Sequence, residues 1–155
     1  EVGMDKKGEI DNLTKIIKPD LGIITNISYA HSKNFKGIKQ IADAKAEIMN
    51  NIKTDGTIVL NMDDNFFKYH KNLALKKKLK VVSFGIKNKS AMTKLIKIKK
   101  IKDKYELYIK VKDLSFIFHT QNDNQNHLYN ILATLAAINL LVDIRKLKKK
   151  FLFKF

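Results

Sequence analysis

Lys45 is the residue whose placement first points to chemistry. At 100° per residue, Ile38, Ile41, Ala42, Ile48, Met49 and Ile52 share one face of a helix, and Lys45 falls at the centre of that apolar stripe. A lysine aimed at a core must lose its charge, pair with an acid or do chemistry; otherwise its stem is buried and its ammonium reaches back to water. Upstream, Leu21 to Ile27 is apolar and β-rich, as suits a strand covered on both faces in a parallel sheet. Asn26 and His31 follow at its C-terminal end, where open α/β sheets place their ligands. His31 taken alone reads as a surface loop residue. The adjacent acids Asp63 and Asp64 follow a second predicted strand, Thr57 to Leu60. They could bind a metal, but capping of the next helix is the preferred reading.

The elements that must position these groups alternate between strand and helix. Ile10, Leu13, Thr14 and Ile17 recur at helical spacing, and Lys18-Pro19 closes that helix. Asp55-Gly56 is a turn, a helix is predicted from Asn65 to Leu75 with Phe66, Phe67 and Tyr69 facing the core, and Val81 to Gly85 reads as a third strand. Between Lys94 and Phe118 the period changes to two: Ile96, Ile98, Tyr105, Leu107, Ile109 and Val111 alternate with lysines, and Phe116 and Phe118 follow. That pattern predicts an antiparallel hairpin or meander with one wet face. A last helix is predicted from about His127 to Leu141, with Leu128, Ile131, Leu132, Leu135 and Asn139 on one face. The expected fold is α/β: three parallel strands flanked by helices, with an antiparallel extension.

Composition limits the function classes. The chain has 155 residues, 45% of them hydrophobic, which is one domain or a piece of one. It lacks cysteine, so disulfides and thiolate metal sites are excluded. No apolar run approaches the ~18 residues of a membrane span, and no apolar leader suggests secretion. The net charge of +16 invites a nucleic-acid reading, but Arg145 is the only arginine. Sites that read bases or clamp phosphates recruit arginine for its planar fork, so lysine-rich solvated faces are the preferred explanation. A non-enzymatic, lysine-rich nucleic-acid-binding module stays as the contrasting alternative.

Three segments resemble the central domain of the Mur ligases, ATP-dependent enzymes that build the peptidoglycan stem peptide. They are Glu1-Val-Gly-Met4 with Gly8-Glu9-Ile10; Ile24-Thr-Asn-Ile27 leading to Ala30-His31; and Ile41-Ala42 leading to Ala44-Lys45 and Glu47-Ile48. Asn61-Met-Asp63-Asp64, Phe84-Gly85 and Asn130 with Leu132-Ala133 extend the likeness in the correct order. The first segment is most similar to the branch that adds D-alanyl-D-alanine to UDP-N-acetylmuramoyl-tripeptide through an acyl phosphate. A relative with another acid or amine acceptor is the alternative within the family.

The resemblance implies ATP and Mg2+ as cofactors. It implies Glu1, His31 and a carbamylated Lys45 around the metal, with Lys45 and His31 serving catalysis, and it implies Asn26 and Asn130 near the nucleotide. It also implies a cytoplasmic monomer that takes the UDP-linked tripeptide and D-alanyl-D-alanine, with no membrane or nucleic-acid partner. Asn126 and His127 depart from the family's histidine and asparagine at those positions, so Asn130 alone is carried over from that motif. No Gly-x-x-x-x-Gly-Lys-Ser/Thr loop occurs in the sequence. The expectation is therefore that residues 1–147 are a central-domain fragment without its phosphate loop. Residues 148–155 are then the start of a linker or a truncation tail, and the fragment is inactive alone.

Overall fold

The structure is a computed structural model, and it describes residues 2–29 and 34–142. Glu1, His31 and the basic, aromatic stretch after Val142 lie outside the described residues. The chain clusters into two units: the first is the chain up to Leu60 with Asp64–Val82, the second is Asn61–Asp63 with the chain from Ser83 onward. The strands form a six-stranded sheet in the order β1 (Leu21–Ile24), β2 (Thr57–Asn61), β3 (Lys80–Gly85), β4 (Thr93–Ile101), β5 (Lys104–Val111), β6 (Leu114–Thr120). The helices are α1 (Glu9–Ile17), α2 (Ile38–Ala46), α3 (Phe67–Lys76) and α4 (Gln125–Leu141). Among the described residues no helix is long and apolar enough to cross a membrane.

In the first unit, β1 and β2 run parallel, with Leu21 opposite Thr57 and Ile24 opposite Leu60. Helix α1 starts at Gly8, whose φ of 93° is in the left-handed region that glycine enters without a Cβ penalty. The helix stops at Lys18, also left-handed, just before Pro19. Helix α2 tightens into a 3-10 turn over Glu47–Asn50. The core here gathers Ile24, Met49, Ile52, Ile58, Leu60, Ala74 and Leu79. The stripe expected on α2 is real, since Ile41 and Ala42 are fully buried and Met49 and Ile52 nearly so.

Two sequence expectations fail in this unit. The strand predicted over Leu21 to Ile27 ends at Ile24, and Ile23 stays 37% exposed rather than covered. Beyond Ile24 the backbone serves side chains instead of a ladder: Ile27 N–H donates to Asp64 and the Asn26 carbonyl accepts from Lys45. At α3, Phe67 packs against the core as expected, but Phe66 and Tyr69 are only half-buried beside it, and the fully buried positions are His70 and Ala74. The aromatic side chains lean on the imidazole instead, with ring centroids 5.4 Å apart for Tyr69 and 6.3 Å for Phe66.

The second unit carries the antiparallel extension as a three-stranded meander, with turns at Lys102-Asp103 and Lys112-Asp113. Lys102 and Lys112 both take positive φ there. Strand β4 also pairs parallel with the end of β3, Phe84 opposite Thr93 and Gly85 opposite Lys94, so the parallel part reaches one strand further than expected. Helix α4 packs on β4 and β5 and buries Leu128, Ile131, Leu132 and Ala136. Leu107, Ile109 and Val111 form the dry face of β5 as predicted. Ile96 does not join it: it is the extra residue of a register break between Leu95 and Lys97 and stays 50% exposed. Ile98, paired with Leu107 on the dry face, is 38% exposed toward the far end of β4.

Candidate functional site

Lys45 lies on the last turn of α2, half-buried, and its Nζ donates to the Asn26 carbonyl at 2.9 Å. Burial pulls its pKa below the usual lysine value, and the negative charge of Asp64 partly offsets that pull. The packing of Ile41, Ala42 and Met49 dictates this placement, because the helix face that meets the core carries Lys45 with it. The lysine therefore reaches a polar main-chain group just past the end of β1, in a position that disfavours an ammonium.

Asp64 stands beside that peptide. Its Oδ2 accepts the Ile27 N–H at 2.8 Å and its Oδ1 accepts the Phe66 N–H at 2.8 Å. The capping expected of the acid pair takes another form. The N-cap of α3 is Phe66, with no side-chain cap, and Asp64 instead builds the turn that leads into the helix. Asp63, in the second unit, serves the β3–β4 connection. Its carboxylate accepts N–H bonds from Ile86 at 2.6 Å, Lys87 at 2.9 Å and Asn88 at 2.7 Å, and the Tyr129 hydroxyl at 3.2 Å.

Of the residues singled out from sequence, the structure brings together Lys45 and Asn26, and through the Asn26 carbonyl rather than its amide. The Asn26 Oδ1 accepts the Thr25 hydroxyl at 3.2 Å. Asn130 sits in the second unit, exposed on α4, beside an apolar hollow of about 250 Å³ that Phe118, His127, Ile131 and Leu135 also line. His127 is tied to the Thr120 hydroxyl at 3.0 Å. Glu1 and His31, the other expected metal ligands, lie outside the described residues. Among the described residues no cluster of three His, Asp or Glu side chains could hold a metal.

Sequence reasoning missed two buried polar groups that bear on the α2 segment. Glu47 is 8% exposed; both carboxylate oxygens accept the Gly8 N–H, at 2.8 and 2.9 Å, and one accepts the Asp11 N–H at 3.3 Å. It thus caps α1 from the segment that carries Lys45, at the positive end of the helix dipole. The one available signal was an acid two residues after a core-facing lysine, which reads equally well as solvated. Replacing Glu47 by alanine leaves those amides without their acceptor and is expected to cost about 2–3 kcal/mol. Glu47→Gln is expected to cost about half as much, and denaturant midpoints of the intact protein measure both.

His70 is 2% exposed, and its Nε2 lies 3.0 Å from the Ala42 carbonyl, so that nitrogen carries the proton. Burial holds its pKa below the usual histidine value, against the Ala42 bond and the charges of Asp64 and Asp43, which pull it up; Lys39 adds to the lowering. Above about pH 6.5 both folded and unfolded imidazoles are neutral; as pH falls below that value the unfolded chain takes the proton first, so stability is lost. The slope approaches ~1.4 kcal/mol per pH unit until the folded imidazole also protonates. His70→Gln is expected to flatten this acid slope in pH-dependent unfolding, and an unchanged slope would refute it.

A largely parallel sheet with flanking helices, and a half-buried lysine beyond the end of its edge strand, define an α/β domain of the kind that meets ligands at strand C-termini. The chain belongs to the Mur ligase family, matching the Mur ligase middle domain over residues 1–138. It is 33% identical over 147 residues to the UDP-N-acetylmuramoyl-tripeptide–D-alanyl-D-alanine ligase of Rickettsia prowazekii, covering 93% of this chain and 31% of that protein. Against the ligase of the same name from Buchnera aphidicola the identity is 29%, over 96% of this chain and 32% of the relative. Among solved structures, MurF from Acinetobacter baumannii superposes with a TM-score of 0.80 and 25% identity, covering 90% of this chain and 30% of that one. The chain thus spans about a third of the length of the relatives it matches.

Proposed function

We propose that the intact protein is an ATP-dependent ligase that joins D-alanyl-D-alanine to UDP-N-acetylmuramoyl-tripeptide, and that this chain forms part of its nucleotide- and magnesium-binding domain. Membership of the Mur ligase family supports the reaction class, and the names of relatives aligned over nearly the whole chain support the substrates. The observation that carries the reading is Lys45, half-buried, held by a neutral carbonyl and biased against its ammonium form. Such an amine reacts with carbon dioxide, and the resulting carbamate offers the hard oxygen donors that magnesium prefers.

In this reading Glu1, His31 and the Lys45 carbamate hold Mg2+, while Asn26 and Asn130 serve the nucleotide. Bound magnesium would neutralise oxyanions on the phosphate and the activated carboxyl group. The chain's own contribution is positional: α2 brings Lys45 beside the Asn26 carbonyl, and α4 presents Asn130 at the rim of an apolar hollow. The protein works as a cytoplasmic monomer.

The test is phosphate release from ATP by the purified intact protein. Release that requires Mg2+, UDP-N-acetylmuramoyl-tripeptide and D-alanyl-D-alanine together is the expected result. Release with UDP-N-acetylmuramate and a single amino acid would transfer the protein to another branch of the family. No magnesium-dependent turnover, together with salt-sensitive nucleic-acid binding, would overturn the ligase reading.

A further inference from the structure

The peptide group between Asn26 and Ile27 is held at both of its polar edges. Its carbonyl accepts from Lys45 Nζ at 2.9 Å, and its N–H donates to Asp64 Oδ2 at 2.8 Å. The carboxylate that grips it is itself fixed, because Oδ1 accepts the Phe66 N–H at 2.8 Å and the Asp64 carbonyl accepts the Phe67 N–H at 3.0 Å. A peptide unit is planar, so holding the N–H sets the direction in which the carbonyl presents its lone pairs. Asp64, thirty-seven residues from Ile27 in the chain, thereby decides where the acceptor for Lys45 points.

We infer that Asp64 is a positioning residue for the Lys45 carbamate, acting through the Asn26–Ile27 peptide. The inference rests on the proposed carbamylation of Lys45. In that step the neutral Nζ lone pair attacks the carbon of carbon dioxide. An N–C bond forms, one C–O π pair moves onto oxygen, and one proton leaves Nζ for solvent, with nothing oxidised or reduced. The carbamate nitrogen keeps one hydrogen, and the Asn26 carbonyl is the acceptor already in place for it. With that N–H held, the plane of the carbamate is fixed, and with it the direction of its two oxygens. Asp64 has both its oxygens engaged by main-chain amides, so its part is to aim the peptide.

The experiment compares the intact wild-type protein with Asp64→Asn and Asp64→Ala. Carbon-13 NMR in labelled bicarbonate reads carbamate occupancy at Lys45, alongside magnesium-dependent ATP turnover and thermal unfolding of the same samples. Loss of the orienting hydrogen bond is expected to outweigh the loss of a charge that favours the ammonium, raising the bicarbonate needed for half-occupancy about tenfold in Asp64→Ala. The rise should be smaller in Asp64→Asn, whose amide oxygen still accepts one N–H. Turnover should fall in step and recover with added bicarbonate. Occupancy equal to wild type in both variants overturns the inference. So does a turnover loss that bicarbonate does not restore, which marks Asp64 as purely structural. A wild-type protein with no carbamate signal overturns the reading of Lys45 itself, and this inference with it.

Discussion

Lys45→Arg in the intact protein is expected to abolish ligation, lowering turnover by about a thousandfold or more. Arginine keeps the positive charge at every accessible pH and offers no neutral amine to carbon dioxide, so the carbamate cannot form. Its guanidinium would instead set a permanent cation where the proposal places magnesium. The substitution is also sterically mild for α2, since the stem still runs among Ile41, Ala42 and Met49 and a donor still reaches toward the Asn26 carbonyl. Folding should therefore survive, and the loss should appear in turnover with little change in the thermal midpoint. Lys45→Ala should fail as completely, but the space it leaves can admit a small carboxylate, so added acetate or bicarbonate should return part of the activity. A Lys45→Arg protein with wild-type turnover would end the carbamate reading, and mass analysis showing an unmodified Lys45 in the active wild-type protein would do the same.

The position of Lys45 was legible because helix periodicity is a local property: six apolar residues at the right spacing determine which way the seventh position points. The alternation in β5 was legible for the same reason, with Leu107, Ile109 and Val111 buried as the period requires. What escaped depends on partners distant in the chain. The end of β1 was misjudged because apolar content does not reveal that Ile27 spends its N–H on Asp64. Nothing near Glu47 announces that its carboxylate crosses to Gly8, nor near His70 that its ring reaches the Ala42 carbonyl. Ile96 kept the period of a strand, but a register break leaves it unpaired and exposed, and its partner strand lies beyond the reach of any local pattern. The metal-site expectations for Glu1 and His31 came from family likeness, and neither residue is among those described.

Asp63→Ala is expected to destabilise the intact protein by about 3 kcal/mol, at or above the loss for Glu47→Ala. Parallel neighbours normally need a crossover of a dozen or more residues, yet β3 and β4 are joined by residues 86–92 alone. A connection that short must turn sharply, and three successive amides, Ile86, Lys87 and Asn88, then point inward with no ladder partner. The Asp63 carboxylate accepts all three and the Tyr129 hydroxyl besides, so one side chain replaces the hydrogen bonds a longer connection would have made for itself. The site is also closely fitted: a Cβ added at Gly85 would lie 3.1 Å from Asp63 Oδ1. Water can reach the Lys87 amide, which is exposed, and that limits the loss. Asp63→Asn should recover little, since its amide nitrogen would face donors. The loss should be visible locally as well as globally, with fast hydrogen exchange at the amides of residues 86–88 and a freed Tyr129 at the start of α4. Because Tyr129 precedes Asn130, KM for ATP should rise in Asp63→Ala if Asn130 serves the nucleotide. Unaltered stability together with protected amides at 86–88 would show that the turn is held by something other than Asp63.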